Sequence, residues 1–220
     1  MVNSLIVKDG EIQKSSIDFP VHWYRRVFHV FGASFLIYYL LPNVEWIKLL
    51  KIFIVIVIVC FAIILEVLRI SGKISSNYFL GLRMYEKNRV GSYLFFGIGS
   101  LTLLLFFPQQ IAVPCILCAS ISDPVMGEIR YRFSKRKAVV FGFLLCPFFF
   151  IFTWYTVDLY LLILVSIVGA SAAILGESSK FLWLDDDFLI QILPAVLLMA
   201  IWLCIPLLSL NYPNLIINPW

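Results

Sequence analysis

Residues 52–65 read IFIVIVIVCFAIIL, a run without a single charge. Carried outward to 49–68, it reaches the roughly 20 apolar residues that a membrane-spanning helix needs. Other uncharged stretches follow: Val90–Ser122, Ala138–Val157, Leu159–Gly176 and Phe188–Trp220. The first of these is too long for one helix and breaks naturally at Phe107-Pro108-Gln109-Gln110. Val27–Leu41 is apolar apart from His29. The spacing predicts an all-α polytopic membrane protein with seven spans, over 27–42, 49–68, 91–107, 109–122, 139–155, 159–176 and 188–210. The fourth is short and contains Pro114, so a tilted, broken or partly re-entrant helix is expected there.

The whole chain agrees. Of its 220 residues, 62% are hydrophobic and 14% charged, where a soluble domain carries about a quarter charged residues. The mean hydropathy is +0.97. Such a composition excludes a soluble globular protein, a disordered chain and a disulfide scaffold. The net charge of +4 is too mild to imply a nucleic-acid partner. Cys115 and Cys118 form a CxxC, but inside an apolar run, where small packing residues are the reading.

Lys and Arg in short loops mark the cytoplasmic side. With seven spans, Lys8, Lys14, Arg25 and Arg26 share a side with the clusters at 69–89 and 130–137 and with Lys180. Of the 17 basic residues, only Lys48 and Lys51 fall opposite. The N-terminus is therefore expected inside and the C-terminus outside. Residues 1–26 lack the apolar core of a signal peptide and read as a cytoplasmic arm. Residues 27–210 read as one membrane-embedded domain and 211–220 as a short non-cytoplasmic tail. Residues 73–90 alternate Ile74, Tyr78, Leu82 and Tyr85 with Lys73, Arg83, Lys87 and Arg89, which predicts an interfacial amphipathic helix.

The acidic residues gather on the same inner face: Asp123, Glu128, Glu177 and the run Asp185-Asp186-Asp187. Carboxylates suit a hard cation such as Mg2+, and Lys and Arg suit phosphate. Asp123, at the inner end of the fourth span, is an ionisable residue at membrane depth and thus a functional candidate. Glu128 and the basic stretch Arg130 to Lys137 suit either a nucleoside triphosphate or anionic lipid heads. Arg25, Arg26 and His29 line the entry to the first span. Glu66 and Arg69 are spaced for a structural ion pair.

Taken in order, these pieces are Arg25-Arg26-x-x-His29, Glu66-Val67-Leu68-Arg69, Asn77-Tyr78-Phe79 through Glu86, Asp123-Pro124, Glu177 and Asp185-Asp186-Asp187-Phe188-Leu189-Ile190. The set resembles the polyprenol and diacylglycerol kinase family, which includes dolichol kinase, phytol kinase and the CTP-dependent diacylglycerol kinase and is related to the membrane cytidylyltransferases. The resemblance covers residues 22–200. It implies phosphoryl transfer from a nucleoside triphosphate, expected to be CTP, to a polyprenol, phytol-like or diacylglycerol-type hydroxyl at the cytoplasmic face. It implies Mg2+ on Asp123, Asp185 and Asp186. Asp123, Glu177 and Asp186 would be the catalytic carboxylates, and Arg25, Arg26, Arg130, Lys135 and Lys137 would hold phosphate. Arg130 and Ser134 stand where the family carries glycine, Asp187 where it carries Asn, and Gln191 where it carries Pro. A cytidylyltransferase on a phosphatidate-like lipid and a non-catalytic membrane subunit are the alternatives. The expected partners are the lipid alcohol, the nucleotide and the bilayer, and a homo-oligomer is compatible with the chain. The membrane would be the plasma membrane in a prokaryote and the endoplasmic reticulum in a eukaryote.

Overall fold

A computed structural model describes residues 5–8, 11–14, 19–79, 82, 86, 89–178, 184–208 and 210–217, with side chains from Trp23 onward, Asn77 excepted. Strands β1 (Leu5–Lys8) and β2 (Glu11–Lys14) form a small antiparallel hairpin, with Leu5 opposite Lys14. From Phe19 the regular structure among the described residues is helical. Helix α1 (Phe19–Phe31) runs through a 3-10 segment, Gly32–Leu36, into the short α2 (Ile37–Leu40). Then come α3 (Glu45–Ile70), α4 (Ser92–Phe106), α5 (Gln109–Leu117), α6 (Asp123–Arg132), α7 (Lys135–Trp154), α8 (Leu159–Ser178) and α9 (Asp186–Cys204).

Five helical segments are long and apolar enough to cross a membrane: Glu45–Ile70, Gln109–Arg132, Lys135–Trp154, Leu159–Ser178 and Asp186–Leu208. Ser92–Phe106 is apolar but shorter. Large apolar side chains face outward on them, among them Phe53, Leu144 and Leu164. A water-soluble monomer does not expose apolar surface on this scale. The chain is a multi-pass membrane protein. Inside, α9 packs against α8, α4 and α5, and α7 packs against α8 and α6. Leu103, Ile111, Phe150 and Leu198 are fully buried where these helices meet. The α8 face toward its neighbours is built from small residues, Gly169, Ala170, Ala173 and Gly176, which lets helices approach closely in lipid.

The expected boundaries shift in places for identifiable reasons. α1 begins at Phe19 rather than 27, because Pro20 sits in its first turn, where a missing N–H loses no helical bond. Arg25 and Arg26 therefore lie on a helix. The helix of the expected fourth span continues past 122. A π-turn, Cys118–Ser122, joins α5 to α6 without interruption. The expected basic loop at 130–137 is consequently two helix ends: Arg130 and Arg132 close α6, and Lys135 to Lys137 open α7. Between them Ser134 caps α7, its hydroxyl accepting from Lys137 N at 3.3 Å. Within the expected interfacial helix over 73–90, the described residues include the 3-10 turn Ser76–Tyr78 and Glu86, also in 3-10 conformation. Arg83, Tyr85 and Lys87 lie outside the described residues.

Pro114 is accommodated inside α5 by a neighbour. Proline has no N–H to give the carbonyl one turn earlier, which here belongs to Gln110. The indole of the fully buried Trp154 donates to that carbonyl at 2.9 Å. Trp154→Phe keeps most of the apolar contact and strands the carbonyl. An unfolding titration in detergent is expected to show a loss of about 1–3 kcal/mol. No measurable change would mean that water reaches Gln110.

The bundle has two distinct ends. The start of α7, the C-terminal ends of α6 and α8 and the start of α9 meet at one. At the other, residues 210–217 fold back over the helix turns. Gln110 Nε2 donates to Pro213 O at 3.0 Å, and Asn214 N donates to Thr156 Oγ1 at 2.9 Å.

Candidate functional site

Arg25 and His29 lie one turn apart on α1, so their side chains share a face. Arg25 Nε donates to His29 Nε2 at 3.4 Å, and its Nη2 donates to Asp187 Oδ2 at 3.1 Å. Its Nη1 lies 3.9 Å from Glu86 Oε1. His29 stands between two carboxylates, with Nδ1 3.4 Å from Asp123 Oδ2 and Nε2 3.6 Å from Asp187 Oδ2. Its ring is 5% exposed, meets Phe96 edge-on at 5.5 Å, and keeps Nδ1 without a hydrogen-bond partner. Four segments distant in sequence thus meet at one point: α1, the turn after α3, the π-turn into α6, and the start of α9.

Each carboxylate has a local reason to be there. Asp123 follows directly on the π-turn, a helix irregularity often found at functional sites. Asp187 lies in the first turn of α9, where unpaired backbone N–H groups and the helix dipole favour negative charge. Asp185 caps that turn, accepting from Asp187 N at 3.0 Å. Burial, a hydrogen bond with Asp186 and the neighbouring carboxylates push Asp185 up to about 9. Burial likewise pushes Glu86 up to about 7, against the pull of Arg25.

The start of α9 is held from two sides. Gln191 is fully buried and bridges to α4. Its Nε2 donates to Phe96 O at 3.2 Å and to Asp187 O at 2.9 Å, and its Oε1 accepts from Ser100 Oγ at 3.0 Å. The other support is Gly176 of α8. A Cβ there would stand 2.6 Å from Leu189 O and 2.8 Å from Ile190 N, so α8 touches the α9 backbone directly.

The structure sorts the residues singled out in the sequence. Asp123 faces His29, Arg25, Asp186 and Asp187 electrostatically. The carboxylate that shares His29 with it is Asp187, which was expected only as a substitute for Asn. Ligand atoms of His29, Asp123 and Asp187 all lie within 4.8 Å of one another, as do those of Asp185, Asp186 and Asp187. Two converging carboxylates are what Mg2+ uses when phosphates complete its shell, so the donor set fits that ion. Glu177 is buried and ion-paired with Arg130, and Arg26 pairs with Glu128, which also holds Arg132. Lys135 and Lys137 are exposed at the start of α7, with Lys137 over the Phe133 ring at 5.0 Å. Lys180 lies outside the described residues.

Glu66 and Arg69 form a buried structural pair. Arg69 Nε and Nη2 donate to the Glu66 carboxylate at 2.8 and 2.7 Å, and Nη1 donates to Glu86 O at 3.0 Å. That clamp fixes the backbone that delivers Glu86 to Arg25. Asp187, Glu86 and Gln191 are the participants that the sequence did not mark as site residues. The signal for Gln191 was available, as a polar side chain one turn after Asp187 in an otherwise apolar helix. Comparison with protein-family models, curated proteins and solved structures gave no match.

Proposed function

We propose that the chain is a membrane lipid-alcohol kinase, transferring the γ-phosphoryl group of a nucleoside triphosphate, with CTP the expected donor, to the hydroxyl of a lipid. The observation that carries this reading is the meeting of Asp123, Asp187, His29 and Arg25 at one end of an apolar helix bundle. Phosphoryl transfer needs positioning and charge neutralisation more than covalent chemistry. Mg2+, when bound by Asp123 and Asp187, would neutralise charge on the triphosphate. The lipid oxygen attacks the γ-phosphorus, the bond to the β-phosphate oxygen breaks, and nucleoside diphosphate leaves. One carboxylate of the cluster takes the hydroxyl proton. Arg25, Arg26 and Arg130, each paired with a carboxylate in the structure, would turn to the phosphates when nucleotide binds.

The test is incubation of the purified protein with labelled CTP or ATP, Mg2+ and a panel of lipid alcohols. A lipid phosphate with nucleoside diphosphate is the expected pair of products. Pyrophosphate release would point to a cytidylyltransferase instead, and absence of any turnover would remove the kinase reading.

Exposed Lys135 and Lys137, beside the inner end of α6, suit the triphosphate. A charge-assisted contact contributes about 1.5–3 kcal/mol, and 1.4 kcal/mol is tenfold in affinity. Lys135→Ala or Lys137→Ala is expected to raise the nucleotide KM roughly tenfold at one position at least. Wild-type KM in both variants would make the cluster a topological anchor.

This reading includes seven crossings, an inner N-terminus and an outer C-terminus. Support comes from the distribution of basic residues and from the position of Ser134 and Asn214 near opposite ends of α7, which is about 30 Å long. With the exposed Cys60 and Cys204 replaced, Ser134→Cys and Asn214→Cys are expected to react with an impermeant maleimide from opposite sides of sealed vesicles. Labelling from the same side would defeat the arrangement.

A further inference from the structure

Three elements distant in sequence bring one nitrogen and two carboxylates together. His29 comes from α1, Asp123 from the end of the π-turn and Asp187 from α9, and their ligand atoms all lie within 4.8 Å of one another. The His29 side chain is 5% exposed. Its Nδ1 is aimed at Asp123 Oδ2, 3.4 Å away, yet has no hydrogen-bond partner. A buried polar atom without a partner calls for an explanation, and the phosphoryl-transfer chemistry gives this nitrogen no task. Atoms that share an octahedral ion at about 2.1 Å lie about 3.0 Å apart when adjacent and about 4.2 Å apart when opposite. The three ligand atoms are spaced for one ion.

We infer that His29 Nδ1 is a metal ligand, and that the site therefore takes a first-row transition ion of the Mn2+ kind in preference to Mg2+. The inference rests on the kinase reading only for the phosphates that would complete the ion's shell. Mg2+ is a hard ion that takes oxygen and gives up its waters reluctantly, whereas first-row transition ions accept imidazole. With two carboxylates alone, Mg2+ depends on the nucleotide to hold it. The His29 nitrogen gives a transition ion a third protein ligand before any nucleotide arrives. Metal-bound histidines almost always donate their other N–H to a carboxylate, carbonyl or water. Here Nε2 lies 3.6 Å from Asp187 Oδ2, so the ring's proton belongs on Nε2 and the lone pair on Nδ1. In that tautomer the 3.4 Å contact from Arg25 Nε to Nε2 is given up. Asp187, with about four lone-pair sites on its two oxygens, serves Nε2, the ion and Arg25 Nη2 at 3.1 Å together. The ligands are also held in place without the ion. Phe96 meets the imidazole edge-on, and Gln191 ties Phe96 O to Asp187 O.

The experiment is Mn2+ binding to the purified full-length protein in detergent, without nucleotide, read by electron spin-echo modulation. Mn2+ is the suitable probe because the five free cysteines attract softer ions instead. A directly bound imidazole nitrogen modulates the Mn2+ echo, and that modulation is the expected result. Mg2+ should displace Mn2+ only at roughly tenfold or greater excess. The chain has two histidines. His29→Gln should abolish the modulation and weaken Mn2+ binding roughly tenfold or more, with Mg2+ binding nearly unchanged. His22→Gln should do neither. In the His22→Gln protein, where His29 is the remaining histidine, 15N-labelled histidine should change the modulation, which decides the assignment even if His29→Gln does not fold. Mn2+ bound without nitrogen modulation, modulation that survives His29→Gln, or Mn2+ held no more tightly than Mg2+ overturns the inference. Lipid phosphate formed with Mg2+, while Mn2+ shows no nitrogen, would keep the kinase and remove this ligand. Nitrogen modulation with no phosphorylated product from any nucleotide would keep the ligand and remove the kinase.

Discussion

Asp123→Asn is expected to abolish phosphoryl transfer without loosening the fold. Asp123 and Asp187 face the same imidazole, at 3.4 and 3.6 Å. Two close carboxylates repel, so removing one charge relieves that repulsion. Asparagine keeps the shape. Unfolding in detergent should thus occur at the same or a higher denaturant level than in the wild type. Activity should move the opposite way. Even outer partners of a metal ligand are worth roughly 10–100-fold, and a direct ligand should exceed that. Near-normal turnover in Asp123→Asn would take this residue out of the mechanism. Loss of both activity and stability would make it a structural acid.

Arg25→Ala should have the largest effect on stability. The Arg25 guanidinium reaches Asp187, Glu86 and His29, and the Asp187 side chain is only 1% exposed. Removing one partner of a buried ion pair costs about 3–5 kcal/mol, because the other charge is left uncompensated. A divalent cation at Asp123 and Asp187 would supply the missing charge. Added Mg2+ is therefore expected to restore part of the lost stability in Arg25→Ala, and more of it than it adds to the wild type. Unfolding titrations with and without Mg2+ check this. A loss below about 1 kcal/mol would show that the pair behaves as a solvent-exposed one.

The helices were legible in the sequence because lipid permits few alternatives. A backbone without water must bond to itself, so an apolar run such as 52–65 becomes a helix with little dependence on its neighbours. The break at Phe107-Pro108 was legible for the same reason. The residues around Asp185 were also readable, since a run of acids before an apolar helix is a local pattern. What could not be read was partnership. Nothing local separates Asp186 from Asp187; the choice is made by Gln191 and Gly176, which fix how α9 starts against α4 and α8. Glu86 was hidden because its role depends on Arg69 folding the chain after α3 back toward α1. The π-turn before Asp123 was masked by Pro114, which suggested a short helix until Trp154 supplied the missing donor.

The Trp154–Gln110 bond also bears on how the protein is made. The donor lies 44 residues downstream of the carbonyl it satisfies. While the ribosome is still producing that stretch, α5 carries a bare carbonyl that only water can serve. Moving an unpaired polar group into an apolar medium costs several kcal/mol. Until α7 arrives, leaving that carbonyl within reach of water costs less than burying it. The two should leave the translocon as a pair, with α5 waiting for a helix that has yet to be translated.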